Sequence, residues 1–239
     1  MADLTAEFVN RIVELSPIDM EVIEGRYYAD RKLFPVVPPV VEEMNVATLT
    51  GLGDYLNANP DQLELDSLVA HVRGHNDVQV RSRLTGDWNQ RYLFLHAFHE
   101  PKGYPFGKYL AIEDFIINMQ THFVQDAATA AIVRLAGNLV QEANVTCSDD
   151  GMTQTVTART GIARVAEVSV PNPVELAPFR TFLEIDQPVS KFVLRLKKSD
   201  AGPMAALFDA DGGCWTLEAI RRIRNWLRAN IPEQVTILA

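Results

Sequence analysis

Cysteine is scarce in this chain. Cys147 and Cys214 are the only two in 239 residues, too few for a disulfide framework and without a CxxC metal knuckle, and they suit a reducing compartment. No apolar run reaches the roughly 18 residues that a membrane-spanning helix needs. The opening Met1-Ala-Asp-Leu-Thr-Ala-Glu7 lacks the basic and apolar regions of a signal peptide. These absences point to the cytoplasm and to no membrane partner. Catalytic signatures are missing too. There is no G-x-S-x-G elbow, Walker A loop or G-x-G-x-x-G fingerprint, so neither catalytic residues nor a cofactor are read from the chain.

What is present is ordinary for a globular protein: 47% apolar and 22% charged residues. The net charge of −9 disfavours indiscriminate attraction to nucleic acid, although a local basic patch can oppose the global sign. Leu4, Phe8, Ile12 and Val13 recur at helical spacing until Pro17. A strand is predicted over 20–28. The prolines of 34–41 then enforce an extended linker, because each bars the preceding residue from helix. The chain therefore divides into an N-terminal arm with its proline-rich linker, 1–42, and a body, 43–239.

In the body, Thr48 is placed to cap a helix running to Leu56. Strands over 68–72 and 78–84 flank Gly74-His-Asn-Asp77, a hairpin turn, and 91–98 is a third strand. Phe115, Ile116, Met119 and Phe123, then Ile132, Leu135, Leu139 and Val140, stripe a long helical region. Asp149-Asp-Gly151 is a hairpin signal within 145–169, and 192–196 pairs with 204–208. A last amphipathic helix starts with Thr216 as its cap and shows Leu217, Ile220, Ile223, Leu227 and Ile231 on one face. Clustered rather than alternating elements give the fold class: α+β, with antiparallel β-hairpins packed with a long central helical region and a C-terminal amphipathic helix.

Three groups of side chains invite a chemical reading. Arg81 and Arg83, with Arg73 opposite and Trp88, Arg91 and Tyr92 following, mix cations with aromatics as a single-stranded nucleic-acid platform does. His71, His75 and Asp77, with His96 and His99, invite a metal-dependent hydrolase, but their spacing departs from known ligand sets, so no metal site is assigned. Asp209-Ala-Asp-Gly-Gly213 opens like a calcium loop yet has Ile220 where the bidentate glutamate belongs. A structural role suits it better: Gly212 and Gly213 at positive φ, and Asp211 at the helix start. Arg180 is positioned to fork Glu184 or to reach across a subunit boundary, and Trp215 and Trp226 are read as core or interface.

Several motifs together resemble the YfdQ-like family, phage and prophage proteins of uncharacterised function. They are Ser148-Asp-Asp-Gly-Met-Thr-Gln154 with Asp150 and Gly151, and Pro171-Asn-Pro-Val-Glu-Leu-Ala-Pro-Phe-Arg-Thr-Phe182 with Pro171, Pro173 and Arg180. Glu184, Gln187-Pro188 and Phe192 continue the series. Ala206-Leu-Phe-Asp-Ala-Asp-Gly-Gly-Cys-Trp215 closes it with Asp211, Gly212, Gly213 and Trp215. The match spans roughly 66–230. It implies a phage origin beside early, DNA-handling genes. It also implies glutamate and alanine as common alternatives to Asp209 and Cys214, which removes Cys214 from essential chemistry. The expectation that follows is a non-enzymatic accessory protein of a bacterial host's cytoplasm, a homo-oligomer that binds a host or phage protein. Single-stranded nucleic-acid binding in recombination or annealing is the alternative, and the metal-dependent hydrolase a third.

Overall fold

The Thr5 hydroxyl accepts a hydrogen bond from Phe8 N at 3.3 Å, capping helix α1 (Ala6–Leu15). The computed structural model describes residues 5–23, 26–29, 41–86, 89–140, 146–149, 154–160, 164–169, 172–200 and 202–239. It divides into two compact units, 1–40 and 41–239. In the first, the single strand predicted over 20–28 is a hairpin, β1 (Met20–Ile23) and β2 (Arg26–Ala29), with Ile23 paired to Arg26. The sequence signal for a break in that strand is its glycine, Gly25. Most of the proline-rich segment lies outside the described residues.

The second unit begins with β3 (Met44–Val46), α2 (Leu49–Ala58), β4 (Leu68–Gly74), β5 (Asp77–Ser82) and β6 (Leu93–Phe98). It continues through β7 (Leu110–Ala111), α3 (Ile112–His122), α4 (Ala127–Val140), β8 (Thr146–Asp149), β9 (Gln154–Thr160) and β10 (Arg164–Ser169). Then come β11 (Val174–Leu176), β12 (Ser190–Ser199), β13 (Gly202–Asp209), α5 (Trp215–Asn230) and β14 (Thr236–Leu238). The fold is α+β. Thr48 caps α2 as predicted, accepting from Gly51 N at 3.0 Å.

A five-stranded sheet runs in the order β14-β4-β5-β6-β3. Its centre is the predicted antiparallel hairpin, but both edge strands pair parallel, β14 with β4 and β3 with β6. Alternation places Leu68, Ala70, Val72, Val78, Val80, Leu95 and Ala97 on one face. There they are sealed by Leu49, Leu52 and Leu56 of α2 and by Ile223 and Leu227 of α5. Each buried valine, leucine or isoleucine among them contributes about 1.5–3 kcal/mol. The face predicted for α5 needs one correction. Leu217 is 70% exposed because it stands about 120° round the helix from Ile223, and Ala219 takes the buried position.

The second core lies under a four-stranded sheet, β11-β12-β13-β7. Ile112, Phe115 and Met119 of α3, then Ile132 and Ala136 of α4, pack on Phe192, Leu194 and Leu207. The long helical region is thus two helices. Gln125 Nε2 donates to the carbonyls of Met119 (3.0 Å) and Phe123 (2.8 Å), closing α3. Asp126 Oδ1 accepts from Thr129 N at 2.8 Å, starting α4. A third sheet, β10-β9-β8, is antiparallel. Asp149 pairs with Gln154 there, and the predicted turn residues Asp150 and Gly151 lie outside the described residues.

A strap from Ala177 to Ser190 joins the two cores. Phe182 and Ile185 leave it to enter the core of the five-stranded sheet. Gln187 holds it in shape: Oε1 accepts from Arg180 N (3.0 Å) and Thr181 N (3.3 Å), while Nε2 donates to the carbonyls of Phe182 (3.0 Å) and Ile185 (3.3 Å). All four hydrogen-bonding positions of that buried amide are used, as burial of a polar group requires.

Candidate functional site

The signature motifs converge on Arg180. Its Nη1 donates to Asp209 Oδ1 at 3.2 Å and its Nη2 to Ser190 Oγ. Its guanidinium lies 3.9 Å from the centre of the Trp215 ring and 5.6 Å from those of Phe106 and Phe192. The expected pairing with Glu184 does not form. Glu184 instead accepts from Thr50 N at 3.0 Å, at the start of α2, where a carboxylate answers the free N–H groups and positive end of a helix. Burial lowers the Arg180 pKa, opposed by the charges of Asp209 and Asp211.

Around this stack, Asp211 Oδ1 accepts from Gly213 N at 3.0 Å. Gly212 and Gly213 have φ of 63° and 83°, the positive values predicted for them. Thr216 is not the cap of α5: it lies inside the helix, with its hydroxyl donating to Gly213 O at 2.7 Å. His75 meets Trp215 edge to face, 4.7 Å between ring centres, and its pKa is lowered by burial and then by Arg180. Its carbonyl accepts from the Thr181 hydroxyl. Beside the stack is an open groove of about 500 Å³ lined by residues including Lys191, Asp211, Cys214 and Trp215. Pro173, joined to Asn172 by a cis peptide, is exposed, and Pro171 lies outside the described residues. The motif is a structural hub in which both terminal nitrogens of Arg180 are engaged, by Asp209 and Ser190, while its buried Nε has no hydrogen-bond partner.

The second surface is the face of the five-stranded sheet turned away from α2 and α5. His71 and Arg73 of β4, Arg81 of β5 and Arg91 just before β6 line one depression of about 620 Å³, with Thr236 and Leu238 of β14 as its far wall. Gln79 Oε1 accepts from Arg81 Nε (2.9 Å) and Nη2 (2.6 Å), which fixes that guanidinium on the sheet. Arg91 Nη1 donates to Ser82 O at 3.1 Å. Arg73 is 3.4 Å from Asp77.

Three of the arginines expected together are therefore brought together, whereas Arg83 and Tyr92 are not part of the depression. Arg83 falls beyond the end of β5, its N–H donating to Ser67 O at 2.8 Å, so it does not share the strand face of Arg81. Tyr92 is half-buried behind the strand end, where its N–H donates to Ser82 Oγ at 2.9 Å. Trp88 lies outside the described residues. The histidines scatter: His71 lies in the basic depression, His75 on Trp215, His96 on Asp77 at 3.1 Å, and His99 beside Phe182. Among the described residues no three His, Cys, Asp or Glu side chains gather closely enough to hold a metal, and none of their helices is long and apolar enough to cross a membrane.

Sequence reasoning missed Phe98. It is 45% exposed and lies across from Asp77 in the ladder, on the face that carries Arg73 and Arg81. Its spacing two residues from His96 on a strand was the available signal.

The fold and its surfaces define an α+β body with a helix-backed mixed sheet whose other face is basic at one side and aromatic at the other. The chain matches no family model, no curated protein and no solved structure.

Proposed function

We propose that this protein is a nucleic-acid-binding accessory protein that works without bond-making chemistry and grips the phosphate backbone on the open face of its five-stranded sheet. The convergence of Arg73, Arg81 and Arg91 with His71 on one depression carries this reading. Guanidinium groups anchored on a sheet by neighbouring acceptors are preorganised forks for phosphate oxygens. The resemblance to the YfdQ-like family, with its implied setting beside phage DNA-handling genes in a bacterial cytoplasm, supports the same reading.

The test is fluorescence anisotropy of labelled DNA at two salt concentrations. Replacing Arg73, Arg81 and Arg91 together by alanine is expected to weaken binding about 10–100-fold at low salt. The slope of log affinity against log salt should fall by about two, as three phosphate contacts are lost. Arg83→Ala, outside the depression, should bind as the wild type does. Absent binding at low salt would overturn the proposal.

Self-association is the second property, favoured by α1. None of its residues is buried, and Phe8, Ile12 and Leu15, on one stripe, are 52–70% exposed. An apolar stripe of that kind is the seam of a helix pair between two copies. Light scattering after size exclusion should give a mass above 26.7 kDa, reduced to the monomer by Phe8→Asp with Ile12→Asp. A wild-type monomer at micromolar concentration would remove this property.

A further inference from the structure

The basic depression occupies only one side of its sheet face. Across the ladder, Gln79 of β5 pairs with His96 of β6, and Asp77 with Phe98. Because Val78 and Ala97 between them point into the core, His96 and Phe98 stand on the same face as Arg73 and Arg81. Neighbouring strands are about 4.8 Å apart, so this aromatic pair lies roughly 10 Å from β4, within one nucleotide's reach of the cations. Ring centres of His96 and Phe98 are 5.9 Å apart. The two side chains line a shallow hollow of about 360 Å³ with Asn45 and Ala47. Asp77 sits between the two patches with its charge engaged on both sides, by Arg73 at 3.4 Å and by the His96 Nε2–H at 3.1 Å. It locks the imidazole in place and adds little repulsion of its own.

We infer that this face selects unpaired strands, the phosphates lying over Arg73, Arg81 and Arg91 while one or two bases stack on Phe98 and His96. The inference rests on the nucleic-acid reading above and names its substrate. In a duplex the base faces are already stacked on one another, so the exposed ring of Phe98, tilted 46° to that of His96, gains nothing from it. A single strand can turn its bases aside onto such rings. The arrangement of a cationic strip beside a ring pair is complementary to that polymer in both charge and shape. An apolar protein segment would match the hollow but leave Arg81 and Arg91 without acidic partners.

Anisotropy titrations with the full chain, using labelled oligothymidylate, an abasic strand with the same phosphates, and a duplex of equal length, decide it. Oligothymidylate should bind about tenfold more tightly than the abasic strand and more tightly than the duplex. Phe98→Ala should erase that tenfold advantage while leaving the abasic strand's affinity unchanged, and Phe98→Trp should keep it. Phe98 is half-exposed, so an unaltered melting temperature in both variants shows that folding is not the cause. Equal binding of oligothymidylate and abasic strand, still dependent on the three arginines, would overturn base stacking and leave the phosphate reading standing. No binding of any probe at low salt would overturn both.

Discussion

Arg180→Ala is expected to lower the free energy of unfolding by about 2–4 kcal/mol. The side chain makes a cation–π contact with Trp215 at 3.9 Å, and hydrogen bonds to Asp209 and to Ser190. It is only 12% exposed, whereas Asp209 is 43% exposed. Truncation therefore leaves a cavity between three rings while the aspartate recovers much of its hydration. The cost lies in the lost stacking more than in an orphaned charge. Arg180→Lys should recover little of it, because an ammonium cannot lie flat on Trp215 and also fork toward Ser190 and Asp209. Urea titrations of the three proteins measure this directly. A loss under about 0.5 kcal/mol for the alanine variant, the size typical of a surface pair, would show that the motif does not organise the fold.

Phe182→Ala should cost about 3–5 kcal/mol, the usual range for removing a fully enclosed ring. Phe182 has no exposed surface and enters the core of the five-stranded sheet from a strap whose other end begins β12. The mutation therefore weakens the tie between the two cores as well as one of them. Phe182→Leu, which keeps most of the volume, should cost less than about 1.5 kcal/mol. Thermal melts together with limited proteolysis check both aspects. Cleavage within 183–189 should accelerate in the alanine variant and stay slow in the leucine one. Equal melting temperatures for wild type and Phe182→Ala would overturn the strap's role.

Local signals carried most of the fold. Thr48 before an apolar run, the Gly74–Asp77 turn and the alternation along β4 each dictate local geometry within a few residues, so they could be read directly. What escaped reading depends on distant partners. The parallel edges β3 and β14 are each three residues long, too short for a period to register. The split between α3 and α4 rests on Gln125 and Asp126, two polar residues whose capping acts only once both helices exist. At the sites, Arg73, Arg81 and Arg91 were readable as a group because adjacent strands bring them together. Arg83 was misplaced by one residue of strand length, and Phe98, an apolar residue at the end of β6, reads as core until the fold shows it 45% exposed. The Arg180–Asp209 pair joins residues 29 apart, and no pattern within either motif named the other as its partner.

The parallel pairing of β14 with β4 has a consequence for biosynthesis. Leu238 walls the arginine depression, yet its ladder partner His71 leaves the ribosome far earlier. Until residues 236–238 emerge, a nascent chain can form the β4–β5–β6 meander and expose its arginines, but one bank of the depression is missing. Contacts of such long sequence separation form late, so competence to hold a ligand there should be acquired only after residues 236–238 have emerged.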